Sequence, residues 1–437
     1  MSWSDFFNQK QTQYLHTFGR GIHADIAKNE EELYTQAYEA FEQKKVLDGY
    51  EYFLRSLINY KGEISNDNII LEKTDDSLKF ELYQGSAKIY ATVTKENLYA
   101  EVSVAKTQSA SVALKRYILE RNYQFTYISY FSDGEFIKLK LFVDNLILSP
   151  QKVFYPLREL ALNADFDKEH IFSEFSDATL ADIEHIKPLD KEELQIKYDF
   201  MQHSITELET KVLTLPSNDK DGMQAFLYLN FLFKIDYLIA PNFALYQKIS
   251  KKVQEYFLDE TSSVEMKNEE LKLYIMELKE LNFEEFSKNF YAAKYTFEQT
   301  EKSSFEELSK FIGESFTKIK WYKSNRYNQI IPTIYTYIAF YALYNYGLNN
   351  ILKALLHLFI EITHSKYFEQ LGYKPLYNET TQSFEKRKII STIDIIIHKE
   401  QQKYKNLKPF GNNLNFNSLN EFAYSFYQEI QNLNFDE

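Results

Sequence analysis

Residues 125–143 read FTYISYFSDGEFIKLKLFV, and this stretch decides the fold of the N-terminal part of the chain. Two runs of aromatic and aliphatic residues flank Asp133-Gly134, a dipeptide that favours the tight turn of a β-hairpin. In the second run an apolar set alternates with a mixed aromatic and basic set. The apolar set is Ile137, Leu139, Leu141 and Val143, and the mixed set is Phe136, Lys138, Lys140 and Phe142. Because neighbouring side chains of a strand point to opposite faces, the pattern predicts a hairpin with one buried and one exposed face.

The same two-residue period extends upstream of the hairpin. Apolar residues alternate with polar ones at 78–83, 88–93 and 98–104, and a shorter run at 69–71 precedes them. Alternation of this kind is typical of antiparallel strands that have one face covered and the other exposed to water. The stretch from residue 68 to residue 144 therefore predicts an antiparallel sheet.

Two helical segments accompany these strands. Apolar spacing at 31–59 predicts one helix, or two helices that are joined near Asp48 and Gly49. A short helix is predicted at 112–121, between the strands and the hairpin. Its candidates for packing are Leu114, Tyr117, Ile118 and Leu119.

A longer helix is predicted after the hairpin. Ser149 supplies a hydroxyl cap, and Pro150 occupies a position that needs no amide hydrogen. Pro156 lies too deep for an undisturbed helix, so we expect a kink or a restart there and an end near residue 164. The order of elements is therefore helix, three or four strands, helix, two strands and helix, which indicates an α+β domain with a two-layer, antiparallel architecture.

This order of elements, with the middle helix at 112–121, the Asp-Gly hairpin and the helix that begins at Ser149-Pro150, resembles the type III secretion chaperone-like fold, including the YbjN-like family. The resemblance covers roughly residues 35–175. It implies a domain in which helices cover one face of a twisted sheet. It also implies protein binding rather than catalysis, and pairing of two copies through the middle helix.

The rest of the chain has the apolar spacing of helices. Residues 177–190 are acidic, contain Pro188 and lack a large apolar cluster, so they are the predicted linker. We expect an N-terminal extension at 1–34, an α+β domain at 35–176 and an all-helical domain, of one or two subdomains, at 191–437. Its helices are predicted at 191–214, 221–240, 242–258, 264–280, 282–299, 304–322, 332–347, 349–367, 383–405 and 418–432.

Composition limits the classes of partner. The chain has 437 residues and 0 Cys, which excludes disulfides, Cys-ligated zinc and thiol nucleophiles. Its formal net charge of -13 argues against general nucleic-acid binding and against an anionic membrane, because both attract positive surfaces. The 35 Tyr and 36 Phe fit either an AT-rich genome or amphipathic surfaces that meet a partner. The longest uncharged run, 327–352, contains Asn and Pro residues that predict a buried helix rather than a membrane span.

Two sets of residues are candidates for binding a protein or peptide. The first is the mixed face of the hairpin, Phe136, Lys138, Lys140 and Phe142, and a peptide could also add to an uncovered edge strand. The second is a basic and aromatic stretch that contains Lys320, Trp321, Tyr322, Lys323 and Arg326. Such a stretch holds an acidic peptide or single-stranded nucleic acid in some proteins, and in others it is a solvated helix face.

One further constellation has the spacing of a metal site. His357, Glu361 and His364 lie at i, i+4 and i+7 of one predicted helix, which could direct three ligands to one side. They could equally form the solvent-exposed edge of an otherwise apolar helix. No cofactor is predicted. The sequence favours a non-catalytic protein-binding adaptor or chaperone-like protein of the bacterial cytoplasm, alone or as a homodimer. The alternatives are a metal-dependent enzyme with its site in the helical domain, and a structural subunit of a larger assembly.

Overall fold

The computed structural model of the protein describes residues 16–19, 28–58, 60–61, 64–65, 68–218, 220–401 and 403–436. An antiparallel sheet with helices is followed by a long helical region, which confirms the predicted fold class. Residues 1–15 and 20–27 of the predicted N-terminal extension lie outside the described ranges.

The α+β domain begins with two helices and continues into strands. The helices are α1 (Lys28–Glu42) and α2 (Val46–Ser56). A small hairpin, β1 (Tyr60–Lys61) and β2 (Ile64–Ser65), precedes the main strands β3 (Ile69–Lys73), β4 (Leu78–Gln84), β5 (Ala87–Val93), β6 (Asn97–Lys106), β7 (Ile128–Ser132) and β8 (Phe136–Asp144). Helix α3 (Val112–Gln124) lies between β6 and β7, and helix α4 (Pro150–Glu174) follows β8.

The main strands form one antiparallel sheet in the order β3-β4-β5-β6-β8-β7. Its inner face is buried, and the predicted core residues of the hairpin, Ile137, Leu139 and Leu141, are among the buried residues. Helices α2 and α4 share a hydrophobic core with this face, and α3 contacts the edge strand β7. We call the opposite side of the sheet the outer face.

The joint between α1 and α2 differs from the prediction. It lies at residues 43–45 rather than near Asp48 and Gly49. Gly49 is buried inside α2, and a Cβ atom added there would lie 2.4 Å from the ring of Phe41 in α1. The glycine therefore permits close packing of two helices and does not break the chain.

Helix α4 is 25 residues long and crosses the inner face of the sheet. Ser149 caps it as predicted, because its hydroxyl oxygen accepts a hydrogen bond from the amide of Lys152 at 3.4 Å. The helix does not restart at Pro156, and the predicted end near residue 164 is wrong. The reason is that its buried residues continue at helical spacing beyond that point: Val153, Leu157, Leu160, Ala161, Ala164, Asp167, Lys168 and Ile171.

A buried carboxylate holds α3 against α4. Asp167 of α4 accepts hydrogen bonds from the hydroxyl groups of Tyr117 and Tyr130, both at 2.7 Å, and from Nε of Arg121 at 2.9 Å. The carboxylate is fully buried, and these donors replace the water that it loses on folding. This network keeps α3 beside β7.

The second half of the chain is mainly helical, as predicted. It comprises α5 (Lys191–Leu213), α6 (Lys220–Ile239), α7 (Phe243–Leu258), α8 (Val264–Glu280), α9 (Phe283–Ser287), α10 (Phe305–Ser324), α11 (Ile331–Asn345), α12 (Asn350–Thr363), α13 (Ser365–Gln370), α14 (Lys386–Glu400) and α15 (Leu419–Gln431). The predicted helix at 282–299 is wrong beyond Ser287, where the chain turns toward the α+β domain. Within the described ranges, no helix is long and apolar enough to cross a membrane.

Residues 290–301, which we call the crossing segment, return from the helical region to the α+β domain. Phe297 is buried in the core of that domain, with its ring edge-on to Phe154 at 5.4 Å. Its amide donates to Oε1 of Gln84 at 2.8 Å, and Nε2 of Gln84 donates to the Phe297 carbonyl at 3.2 Å. Short strands at Lys187–Pro188 and Tyr291–Ala292 also pair with each other. The two regions are therefore tightly joined, and the boundary at 177–190 stays a prediction.

Candidate protein-binding face

The outer face carries aromatic side chains across three neighbouring strands. Tyr99 of β6 pairs with Phe142 of β8. Tyr127 lies one residue before β7, and because Ile128 pairs with Leu141, Tyr127 continues the line opposite Phe142. The exposed fraction is 38% for Tyr99, 64% for Phe142 and 51% for Tyr127. We call these three residues the aromatic row. Exposed rings that are aligned in this way form a surface suited to a protein partner.

The lysines of the outer face differ in their partners. Lys138 is paired with the carboxylates of Glu101 at 3.2 Å and Asp133 at 3.1 Å. Lys140 is exposed, and its ammonium group lies 5.4 Å from the ring centroid of Phe131. No carboxylate in the described part of the chain lies within ion-pair distance of Lys140. Lys140 is therefore the lysine of the hairpin that can meet an acidic group of a partner.

Phe136 and Phe142 were predicted as a pair, and the structure distinguishes them. Phe136 is half-buried, and the ammonium groups of Lys106 and Lys138 lie 5.5 and 5.9 Å from the centroid of its ring. Phe142 is exposed, and Leu146 and Ile147, which follow β8, are also largely exposed. Phe142 therefore lies at the centre of the apolar surface and Phe136 at its margin.

The edge strand β7 is a poor site for the addition of a peptide strand. The amide of Tyr130 donates to Oδ1 of Asn122 at 2.7 Å. The amides of Thr126 and Tyr127 donate to the carboxylate of Glu159 at 2.8 and 2.7 Å. Side chains of α3 and α4 thus occupy backbone donors at this edge, which an added strand would need. The outer face is the better candidate for contact with a partner.

Helix α3 is largely uncovered. Leu114 is buried, but Leu119 is 68% exposed, so the prediction that Leu119 packs inside is wrong. The helix contacts the edge strand β7 and the polar residues Asp167 and Asn163 of α4, so less of its surface is buried than in a helix that crosses a sheet. Val112 and Tyr123 are exposed at helical spacing from Leu119. The pairing of two copies through this helix stays a prediction.

The basic and aromatic stretch in α10 is divided between core and surface. Tyr322 is buried in the core of the helical region, which removes it from the candidate surface. Trp321 is partly exposed, and Lys320, Lys323 and Arg326 are exposed. The ring of Trp321 packs edge-on against Tyr322 at 5.0 Å, so its position follows from the core below it.

The three residues with metal-like spacing do not converge on one point. Nδ1 of His357 is hydrogen-bonded to the hydroxyl group of Tyr237 at 2.8 Å, and Nδ1 of His364 lies 3.3 Å from the carbonyl oxygen of Ile360. Across the described ranges, no group of three or more His, Cys, Asp or Glu residues is placed to hold a metal ion. His357 and Glu361 lie in α12, whereas His364 follows the last residue of that helix, so the three residues give no geometric basis for a metal site.

The same residues are not a solvent-exposed edge either. His357, Glu361 and His364 are half-buried, and the ring of Phe18 lies 5.1 Å from His357. Burial lowers the pKa of His357 to about 4 and that of His364 to about 3, and burial raises the pKa of Glu361 to about 7. All three side chains are thus driven toward their neutral forms by their surroundings.

The sequence contained part of the signal for the aromatic row. Tyr99 alternates with Leu98 and Ala100, so its place on the outer face follows from strand parity. Its position beside Phe142 follows from the register between β6 and β8, which single-strand periodicity does not give. Tyr127 lies in the first run of the predicted hairpin but was not among the candidates, and its place opposite Phe142 follows from the register between β7 and β8.

Comparison of the chain with models of known protein families and with curated proteins finds no match. The resemblance to secretion chaperones therefore stays a prediction that rests on the order of the elements. The geometry of the outer face is the stronger basis for a functional proposal.

Proposed function

We propose that the protein is a non-catalytic adaptor of the bacterial cytoplasm that binds another protein through the outer face of its α+β domain. The observation that carries this proposal is the aromatic row, with Phe142 at its centre and 64% exposed. The expected partner segment has apolar side chains that cover the row and an acidic group that meets Lys140.

The polar groups of this face favour such a contact. The hydroxyl group of Tyr99 donates to Glu101 at 2.9 Å, so the ring of Tyr99 can be covered without leaving its polar end unpaired. Burial of an aromatic side chain such as Phe142 contributes roughly 1.5–3 kcal/mol. A few residues of this kind carry most of the free energy of binding in protein interfaces.

The rest of the fold gives this face a rigid support. Helix α4 covers the inner side of the sheet, and the crossing segment inserts Phe297 into the core below it. A surface that changes little when a partner binds loses less conformational entropy on binding. This rigidity favours the strands of the face over the loops as the binding element.

The proposal is tested by quantitative affinity capture with the full-length chain. The wild-type protein, Phe142→Ser and Leu258→Ser are each used as bait in lysate of the native host, and bound proteins are counted by mass spectrometry. Leu258 is the matched control, because it is 69% exposed at the end of α7 in the helical region. We expect a defined set of proteins to be depleted at least about ten-fold by Phe142→Ser alone, which corresponds to roughly 1.4 kcal/mol.

Two results would count against the proposal. Equal recovery of every protein by the three baits would show that the aromatic row binds none of them. Equal losses of bound proteins with Phe142→Ser and Leu258→Ser would indicate nonspecific binding to exposed apolar side chains. Light scattering on the purified protein identifies the remaining case, because a dimer that Phe142→Ser dissociates would make a second copy the partner.

A further inference from the structure

A cavity of about 480 Å³ lies in the helical region, between α5, α6, α11, α12, α13 and α15. This volume lies within the usual range of sites for small molecules. The cavity is lined by aromatic rings, among them Phe200, Tyr335 and Phe359, and by many polar and charged side chains. It is separate from the outer face of the sheet, which belongs to the other domain.

Lys234 of α6 lines this cavity with only 9% of its surface exposed. Its ammonium group lies 5.5 Å from the ring centroid of Phe200 and 5.9 Å from that of Phe231. Within the described parts of the chain, no side chain or carbonyl group accepts a hydrogen bond from it, and no carboxylate lies within ion-pair distance, although the charge of Glu207 acts on it. Burial lowers the pKa of Lys234 to about 8, and the charge of Glu207 offsets only part of this shift.

A second buried lysine in the same region shows the usual arrangement. Lys197 of α5 donates to the carbonyl oxygen of Ile239 at 3.0 Å and is paired with the carboxylate of Glu193 at 3.0 Å. A buried ammonium group is normally satisfied in this way, because an unpaired one is destabilising. Lys234 therefore contributes little to the stability of the fold, and its position is better explained by a ligand.

Asn230 lies one turn before Lys234 on α6 and lines the same cavity. Its Oδ1 accepts a hydrogen bond from Oγ1 of Thr336 at 3.2 Å. Its amide nitrogen donates to no residue in the described ranges. Residues four apart share one face of a helix, so Lys234 and Asn230 offer two neighbouring donor groups.

We propose that this cavity binds a small monocarboxylate, which accepts hydrogen bonds from Lys234 and Asn230. The two oxygens of a carboxylate match two adjacent donors, and the apolar body of the ligand would lie against Phe200 and Phe359.

The charges around the cavity favour a single negative charge on the ligand. The lining contains three lysines and three acidic residues, namely Lys211, Lys234, Lys366, Asp199, Glu207 and Glu379. A phosphate or a nucleotide would need several uncompensated cations, and this balanced lining does not supply them. His364 also lines the cavity, and its lowered pKa keeps it neutral.

Isothermal titration of the full-length protein with benzoate tests this proposal. Benzamide has the same shape without the charge, and inorganic phosphate has charge without an apolar body. We expect saturable binding of benzoate, with benzamide and phosphate at least about ten-fold weaker. Lys234→Met should weaken benzoate binding by at least about ten-fold, whereas Lys211→Met, a change of an exposed lysine of the same lining, should weaken it by less than about three-fold.

Thermal unfolding separates the loss of a site from the loss of the fold. Lys234→Met should raise the melting temperature, because it removes a buried charge that has no hydrogen-bond acceptor, and Lys197→Met should lower it. Benzoate binding that survives in Lys234→Met, or benzamide and phosphate that bind as well as benzoate, would overturn the proposal. Absence of benzoate binding up to about 10 mM would also overturn it for aromatic acids of this size.

Discussion

Replacing Phe297 with alanine should destabilise the α+β domain, although Phe297 belongs to the second half of the chain. Its side chain is 2% exposed and lies in the core formed by the sheet and α4. Its backbone is bonded on both sides to the buried Gln84, so the crossing segment should keep its path when the ring is removed. The variant would then leave a cavity below the sheet rather than release the whole segment.

The size of the effect follows from the burial of the ring. Truncation of a buried Phe to Ala costs about 3–5 kcal/mol, as the sum of lost transfer free energy and of the cavity left behind. Phe297 lies in an extended segment, which can relax into the cavity more readily than a helix can. We therefore expect a loss of about 3 kcal/mol in the free energy of unfolding of the domain.

Urea unfolding followed by circular dichroism measures this loss, and hydrogen exchange locates it. Exchange should accelerate in peptides from residues 78–93, which cover β4 and β5. Phe142→Ala is the matched control, since it removes the same ring from an exposed position and should change stability by less than about 0.5 kcal/mol. A loss below about 1 kcal/mol for Phe297→Ala, with unchanged exchange, would refute the shared core.

Two further changes test other parts of the fold. Burial raises the pKa of Glu361 to about 7, so the free energy of unfolding is highest below the unfolded pKa of 4.5 and decreases as the pH rises to 7. Glu361→Gln should therefore stabilise the protein by about 1–3 kcal/mol at pH 8 and by nothing near pH 4. Urea titrations of both proteins at the two pH values measure this difference. Gly49→Ala should lower the melting temperature and reduce the free energy of unfolding by about 1–3 kcal/mol, because the added Cβ atom would lie 2.4 Å from the buried ring of Phe41. An unchanged melting curve would show that α1 and α2 can move apart without loss of stability.

The elements that the sequence predicted correctly are those with a strong local period. The alternation in β8 and the cap at Ser149 depend on neighbours within a few residues, and both are present in the structure. The predictions that failed concern where an element meets the rest of the chain. Helix α4 continues past residue 164 because the sheet covers it, and the predicted helix at 282–299 ends early because the crossing segment enters another core.

The candidate face likewise combines features that a local period predicts with features that depend on distant residues. Strand parity placed Phe136 and Phe142 on one side, but it could not show that lysines cover Phe136 while Phe142 is left exposed. That difference depends on the register of neighbouring strands and on the path of the chain after β8.

The amino-acid pattern alone was enough to specify the fold class, the side chains that share one face of each strand, and most of the helices of the second half. Periods of two and 3.6 residues follow from the local geometry of the backbone. Only the tertiary structure decided which polar side chains are buried and what they meet. Lys197 and Lys234 are both buried lysines of long helices, yet one is paired and the other faces a cavity. Desolvation and pairing depend on residues distant in sequence, and no local period encodes them.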